Sequence, residues 1–218
     1  MQELIYLFLT FIIYSVLGWL IEVTLCSIEE KRFVDRGFLI GPYCPIYGVG
    51  TLILILILTK YHDDLLALFV IGTFICSVVE YLTSFAMEKL FKARWWDYST
   101  VKFNLNGRIC LTNSILFGLG GIIILYVNPI LQKFLHMIPF KVLSIIAIII
   151  FIAYIIDNII SFKLINKIKD LTFEARKDNT EEITIKINKI IHEKSKSLMR
   201  IIKAFPNAII YTKNKKKL

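Results

Sequence analysis

Five long apolar runs constrain the fold of this chain more than any other feature. They cover approximately residues 4–26, 38–59, 65–90, 108–127 and 139–162. A helix needs about 20 predominantly apolar residues to cross a bilayer, and lipid leaves no water to satisfy an irregular backbone. A mean hydropathy of +0.67 over 218 residues also exceeds what a soluble domain needs. The runs therefore predict an all-α, polytopic helical membrane bundle.

Two details leave the predicted number of spans at five or six. Residues 130–138 form a short additional apolar run, which would make a sixth, interfacial or re-entrant segment. The second long run starts with residues that interrupt a regular helix: Gly37, Gly41, Pro42, Pro45 and Gly48. The first run has no basic segment before it and is too long for a signal core, so no cleavable signal is expected.

Basic residues in the connections set the predicted orientation. They concentrate in the first and third connections: Lys31, Arg32, Arg36, Lys89, Lys92, Arg94 and Lys102. The second and fourth connections carry fewer: Lys60, Lys133 and Lys141. Because connections rich in lysine and arginine stay in the cytoplasm, we expect a multi-pass protein with its N-terminus outside and its C-terminal tail in the cytoplasm.

Charged residues within or at the ends of the apolar runs are the main functional signal: Glu22, Glu80, Glu88, Arg108 and Asp157. Each costs about 2.5–3.5 kcal/mol near the bilayer centre, so such residues pair, line a wet cavity or mark a functional path. The predicted orientation places all of them towards the cytoplasmic side. Helical spacing extends them into two polar stripes: Ser15, Gly18 and Glu22 on span one, and Thr73, Ser77, Glu80, Ser84 and Glu88 on span three. Ser114, Gly118 and Gly121 give span four a small-residue face for close helix packing.

Two loops add further polar and irregular residues at the same side. The first is the Gly/Pro-rich segment at residues 36–48, and the second runs from Arg94 through a Trp-Trp-Asp-Tyr-Ser sequence to Arg108. Together with the embedded charges they define a candidate substrate or transport site, the polar basin: Glu22, Arg36, Gly41, Pro42, Pro45, Tyr47, Glu80, Glu88, Trp95, Trp96, Asp97, Tyr98, Asn104, Asn106, Arg108 and Asp157.

A purely structural interpretation of these residues stays open. Arg108 could form a buried ion pair with Glu80 or with Asp157 and thereby lock the helices together. Trp95 and Trp96 could act only as anchors at the headgroup interface. Five acids against three arginines exceed what helix registry needs, which favours a functional basin.

The ordered motifs of these segments resemble those of the CmpB-type ABC-transporter permease family of bacterial integral membrane proteins. The resemblance covers about residues 8–125 and is carried by these motifs: Gly18-Trp19 with Glu22, Arg36-Gly37-Phe38-Leu39 with Gly41-Pro42, Pro45-Ile46-Tyr47-Gly48, Glu80 with Glu88, Trp95-Trp96-Asp97-Tyr98-Ser99 and Asn104-Leu105-Asn106-Gly107-Arg108-Ile109-Cys110. It implies a multi-span transporter component in the bacterial cytoplasmic membrane.

The resemblance also implies partners. The sequence contains no Gly-x-x-x-x-Gly-Lys-Ser/Thr phosphate loop, so ATP hydrolysis would come from a separate ATP-binding subunit. Five spans are few for a substrate path, which favours a homo-oligomer. A membrane-embedded enzyme acting on a lipid or anionic substrate at the inner leaflet, with Glu80 or Glu88 as base, and a membrane scaffold are the alternatives.

Other chemistry has little support in the sequence. The histidines, His62, His136 and His192, fall away from the basin, and the four cysteines have no paired spacing, so neither a metal site nor a cofactor is expected. The cysteines are interpreted as small packing residues, and disulfides are not expected at these locations: Cys26, Cys44, Cys76 and Cys110.

The C-terminal part forms a second region. Residues 163–218 hold 15 of the 26 Lys and Arg and 6 of the 17 Asp and Glu, so their net +9 equals the charge of the whole chain. We therefore divide the chain into a transmembrane domain, 1–162, and a basic amphipathic cytoplasmic tail, 163–218. The spacing of Asn179 and Glu182 predicts the start of a second tail helix that ends at Pro206. Anionic inner-leaflet lipid is the simplest partner, self-association or a cytoplasmic partner is the alternative, and nucleic acid is not expected.

Overall fold

The computed structural model of the protein describes residues 2–91, 93–177, 200 and 209–210. Five α-helices dominate it: α1, Gln2–Glu29; α2, Pro45–Leu58; α3, Leu65–Phe91; α4, Leu111–Met137; and α5, Phe140–Lys177. A single 3-10 turn, Thr59–Tyr61, extends α2. Two-residue strands complete the described structure: β1, Ala93–Arg94; β2, Asn104–Leu105; β3, Ile109–Cys110; and β4, Ile209–Ile210.

Four of these helices are long and apolar enough to cross a membrane: Gln2–Glu29, Leu65–Phe91, Leu111–Met137 and Phe140–Asn166. This confirms the prediction of a mainly helical membrane protein. The helix Pro45–Tyr61 is apolar but shorter, because the glycines and prolines before it keep residues 38–44 out of the helix. At 1.5 Å per residue, its length is about 25 Å, less than the roughly 30 Å hydrocarbon core.

The end of α4 differs from the predicted boundary at residue 127. The helix continues through Pro129 to Met137, so residues 130–137 belong to α4 and do not form a separate short segment. A proline inside a membrane helix is tolerated where neighbouring groups satisfy the backbone that it disrupts. Asn128 and Leu135 on this extension are buried, so the extra turns contribute to the bundle.

Apolar contacts hold the bundle together at several levels. Leu54 and Leu58 of α2 pack with Leu68 of α3 and Leu125 of α4. Tyr6 and Leu9 of α1 pack with Leu135 of α4 and with Leu143 and Ala147 of α5, and a third cluster contains Phe91, Trp95 and Ile165. Large apolar side chains on the outer faces of α3, α4 and α5 remain exposed, as expected for surfaces that meet lipid.

Small residues allow the helices to approach closely. A Cβ added to Gly48 of α2 would lie 2.4 Å from the backbone oxygen of Phe11 in α1. A Cβ added to Gly118 of α4 would lie 1.9 Å from Thr73 Oγ1 in α3. The predicted packing face on span four is confirmed, since Ser114, Gly118 and Gly121 are all buried.

Candidate functional site

The Gly/Pro-rich loop before α2 is anchored by the side chain of Asp157 in α5. Its Oδ1 accepts the backbone N–H of Ile40 at 3.0 Å, and its Oδ2 accepts the N–H of Gly41 at 2.7 Å and the hydroxyl of Tyr43. Ser161, one turn along α5, donates to Oδ1 at 2.8 Å. Hydrogen bonds to backbone and hydroxyl donors stabilise a carboxylate without an adjacent cation.

Glu22 links the end of α1 to the start of α2. The hydroxyl of Tyr47 donates to Glu22 Oε1 at 2.5 Å, and Arg36 Nε lies 3.5 Å from Glu22 Oε2. Gly18, one turn before Glu22, makes this approach possible because a Cβ there would lie 2.2 Å from the Tyr47 ring. The predicted stripe of α1 therefore faces α2.

A network of two arginines and two acids closes the end of α3. Arg108 Nη2 lies 2.8 Å from Glu88 Oε2, and Arg94 Nε lies 3.2 Å from the same oxygen. Arg94 also reaches Asp97 Oδ1 at 3.3 Å, and Arg108 donates to Ser84 Oγ at 3.1 Å. Only 9% of the Arg108 side chain is exposed, so this network is largely shielded from solvent.

The pairing of Arg108 differs from both pairs that the sequence left open. Its partner is Glu88, and neither Glu80 nor Asp157 forms an ion pair with it in the described part of the chain. For Glu80, the reason is its position along the axis of α3. Glu80 lies eight residues before Glu88, about 12 Å along the helix axis. Arg108 lies in the turn between β2 and β3 and contacts Ser84 and Glu88, which are nearer the end of α3.

Glu80 faces Tyr98, which comes from the loop after β1. The Tyr98 hydroxyl donates to Glu80 Oε1 at 3.3 Å and accepts a 2.8 Å hydrogen bond from the side-chain amide of Asn113 in α4. Burial, followed by the nearby Glu80 and Glu22 carboxylates, raises the pKa of the Tyr98 phenol. Tyr98 therefore stays a neutral hydrogen-bond donor at physiological pH, and it connects α3 with α4.

Other residues of the loop between β1 and α4 form further hydrogen bonds beside this cluster. Trp96 Nε1 donates to the backbone oxygen of Arg108 at 2.9 Å, and Asn106 donates to the Tyr81 hydroxyl at 3.0 Å. Asn104 caps the turn within the loop through its side-chain amide and oxygen. Trp96 and Asn104 therefore hold the loop in shape, and Asn106 attaches it to α3.

Three other predicted basin residues have different surroundings. Trp95 is buried against Phe38 and Phe91, with ring centroids 5.7 and 6.4 Å apart. Pro45 begins α2, and Pro42 is exposed in the preceding loop. Trp95 therefore contributes to the apolar cluster at the end of α3, and Pro45 marks the start of α2.

Several residues at the site were not predicted from the sequence. Tyr43 and Ser161 hold Asp157, and Asn113 holds Tyr98. The four-residue spacing of Asp157 and Ser161 and the amide of Asn113 in an apolar run were available signals. Within the described residues, no group of three His, Cys, Asp or Glu side chains lies close enough together to hold a metal ion.

The tail also contacts the site. Arg200 Nη1 lies 2.9 Å from Asp35 Oδ2, and Arg200 donates to the backbone oxygens of Gly37 and Leu39. Strand β4 pairs antiparallel with β1, next to the Trp-Trp-Asp sequence. Arg200 and Arg176 are the two arginines among the 15 basic residues of the tail, and this difference was an available signal. The predicted tail helix around residues 182–205 falls outside the described part except for Arg200.

These contacts gather at one end of the bundle, where α1 and α3 end and α2 and α4 begin. A helical bundle with four membrane-length apolar helices and buried polar side chains at one end defines a polytopic membrane protein. A family model described as "Putative ABC-transporter type IV", the CmpB type, matches residues 9–162. The chain belongs to this family. No curated protein and no solved structure gives a significant match.

Proposed function

We propose that this chain is the permease-type membrane component of an ABC transporter and that its polar basin opens to the cytoplasm. Family membership supports the transport role. The observation that carries the site assignment is the convergence of ionisable side chains from α1, α3, α5 and the two loops at one end of the bundle.

We propose five spans, with the helix Pro45–Tyr61 as the fifth. It packs on α1 and α3 in the bundle. The loop before it, which Asp157 anchors, would cross the part of the hydrocarbon core that this short helix does not span. Irregular backbone is acceptable there because acceptor oxygens of α5 satisfy the N–H groups of Ile40 and Gly41. Basic residues in the first and third connections then place the N-terminus outside the bacterial cell membrane.

The tail belongs to the cytoplasmic face in this proposal. We keep the division into a transmembrane domain, 1–162, and a tail, 163–218, although α5 continues without interruption to Lys177. A net charge of +9 in the tail favours contact with anionic inner-leaflet lipid. The contact of Arg200 with Asp35 holds part of the tail against the polar end of the bundle.

The charge pattern of the basin favours a cationic or neutral solute. Each of its arginines already lies at a carboxylate: Arg36 at Glu22, and Arg94 and Arg108 at Glu88. An anionic solute would have to displace one of these acids. Asp157 is held by hydroxyl and amide donors instead. The acids Glu22, Glu88, Asp97 and Asp157 therefore outnumber the three arginines of the basin.

The proposal requires partners. A separate ATP-binding subunit would supply ATP hydrolysis, and two or more copies of this chain would enclose the path. Both requirements follow from the family and from the small number of spans.

Cysteine accessibility tests the inward-opening basin without knowledge of the substrate. In a background with the four native cysteines replaced, Ser77→Cys would place a thiol on the polar stripe one turn before Glu80, and Val78→Cys would place one on the lipid-facing side at the same depth. A charged, membrane-impermeant thiol reagent is added to inside-out and right-side-out vesicles.

The proposal expects labelling of Ser77→Cys in inside-out vesicles, little labelling in right-side-out vesicles, and no labelling of Val78→Cys. Labelling of Ser77→Cys only in right-side-out vesicles would show that the basin opens to the outside and would contradict the proposed orientation. Equal protection of both positions from both sides would show a dry structural bundle in place of a transport basin.

A further inference from the structure

Glu80 differs from every other acid of the polar basin in its surroundings. Only 5% of the residue is exposed. Its Oε1 accepts the Tyr98 hydroxyl, but its buried Oε2 has no hydrogen-bond partner among the described residues. Glu22 and Glu88, by contrast, each lie at an arginine. Glu80 is therefore a buried carboxyl group without a described cationic partner.

The elements around Glu80 provide neutral or acidic groups. The loop after β1 contributes Tyr98, and α1 contributes Glu22, which is within electrostatic range. Cys76 precedes Glu80 by one turn of α3. On α4, Asn113 and Ser114 are neutral and are hydrogen-bonded to Tyr98 and Ser77, respectively.

The charged groups nearby are already engaged. Arg108 is bound to Glu88 and to Ser84, and Arg94 of β1 is bound to Glu88 and Asp97. Tyr47 of α2 donates its hydroxyl to Glu22. Cys110 of β3 is a free cysteine, and Asp157 of α5 accepts hydrogen bonds from the loop before α2. The short helix Thr59–Tyr61 packs at the opposite end of α3.

An ionised carboxylate in such a site is costly. Removing a charge from water costs several kcal/mol when no partner compensates for it, and a second carboxylate nearby adds repulsion. Adding a proton removes both costs. A metal cation would need several oxygen ligands, whereas one oxygen, the Tyr98 hydroxyl, contacts Glu80 in the described structure.

We propose that Glu80 is a proton-binding site of the basin: one proton occupies Oε2 while Tyr98 donates to Oε1, and the neutral carboxyl group avoids repulsion between Glu80 and Glu22. This proposal deepens the proposed permease function, and any role of the proton in transport rests on that function. Loss of the proton would leave two carboxylates, Glu80 and Glu22, near each other. Their repulsion, and the hydration that an ionised Glu80 needs, would favour entry of water beside Glu80.

Reaction with dicyclohexylcarbodiimide tests this site, because the reagent modifies protonated carboxyl groups in apolar surroundings. The full-length protein in lipid vesicles is treated at several pH values, and the modified residues are identified by mass spectrometry. Glu88, two turns along the same helix and paired with Arg108, is the internal control. We expect modification of Glu80 and not of Glu88, with a decrease of about tenfold per pH unit once Glu80 ionises.

Infrared spectroscopy provides a second measurement that does not depend on reagent access. The wild-type protein at neutral pH should show the C=O stretching band of a protonated carboxyl group, and Glu80→Gln should lack it. Absence of this band from the folded wild-type protein would overturn the proposal. Protection of Glu80 from the carbodiimide by sodium chloride, relative to choline chloride at the same pH, would overturn it in favour of a sodium ion.

Neither measurement needs an ATP-binding partner or a transported substrate. A proton on Glu80 could therefore be demonstrated even if the permease function proved wrong, and the permease function could hold with Glu80 ionised.

Discussion

The backbone N–H of Gly41 donates a 2.7 Å hydrogen bond to Oδ2 of Asp157, which lies 116 residues later in the chain. The same carboxylate accepts the N–H of Ile40 at 3.0 Å. A loop that cannot form a regular helix thereby has its exposed amides satisfied by α5. In a membrane protein this is the condition under which irregular backbone survives near the bilayer, so the two residues together define the entrance to α2.

Replacing Asp157 by asparagine should destabilise this entrance. Asn keeps one acceptor oxygen but turns an amide nitrogen towards a backbone donor, and charge-assisted bonds of this kind contribute about 1.5–3 kcal/mol. We expect a loss of that size in the free energy of unfolding in mixed micelles. Asn158→Ala, which removes only a local bond to Tyr154, should cost no more than about 0.5 kcal/mol. Equal effects of the two substitutions would contradict the anchoring role of Asp157.

The ion pair between Glu88 and Arg108 should show energetic coupling. A double-mutant cycle with Glu88→Gln and Arg108→Gln should give a coupling energy of about 1–3 kcal/mol, because the two charges are mostly buried and 2.8 Å apart. The exposed pair Arg32–Glu30, at 3.3 Å, is the comparison and should couple by at most about 1 kcal/mol. Indistinguishable coupling in the two cycles would be inconsistent with the closed network at the end of α3.

Close packing of α1 on α2 depends on Gly48. The substitution Gly48→Ala should lower the melting temperature in detergent, because its Cβ would lie 2.4 Å from the backbone oxygen of Phe11, which cannot rotate away. Gly50→Ala, on the same helix with nothing within 4 Å of the added Cβ, should be neutral or stabilising by up to about 1 kcal/mol. If both variants melted at the same temperature, the α1–α2 contact would need revision.

Arg200 should hold the tail against the loop before α2. Arg200→Ala removes its bonds to Asp35 and to the Gly37 carbonyl, so chymotrypsin should cleave the tail faster while the membrane helices stay intact. Lys163→Ala, at an exposed position of α5, serves as the control for loss of one positive charge. Unchanged cleavage in Arg200→Ala, monitored by mass spectrometry, would show that this contact does not restrain the tail.

The sequence was sufficient for the helical membrane class and for most helix positions, because apolar runs of about 20 residues have few alternatives in lipid. The distribution of basic residues among the connections also predicted that Glu22, Glu88, Arg108 and Asp157 lie on the same side of the membrane. Both partners predicted for Arg108 were wrong, since it pairs with Glu88. Helical spacing shows that Glu80 and Glu88 share a face of α3, but it does not show which of them lies level with Arg108.

Contacts between distant segments could not be derived from the sequence. The bonds from Asp157 to the amides of Ile40 and Gly41 depend on how the loop folds, since backbone donors look alike in every sequence. The continuation of α4 past Pro129 was missed because proline ordinarily ends a helix. Its tolerance is a property of membrane helices packed in a bundle.

The most direct test of the permease assignment is gentle purification of the tagged chain from its native membrane, followed by quantitative identification of the co-purifying proteins. The assignment predicts an ATP-binding subunit in stoichiometric amount that hydrolyses ATP in the purified complex. Reproducible recovery of the intact chain without any ATP-binding protein, under conditions that preserve other membrane complexes from the same cells, would contradict it.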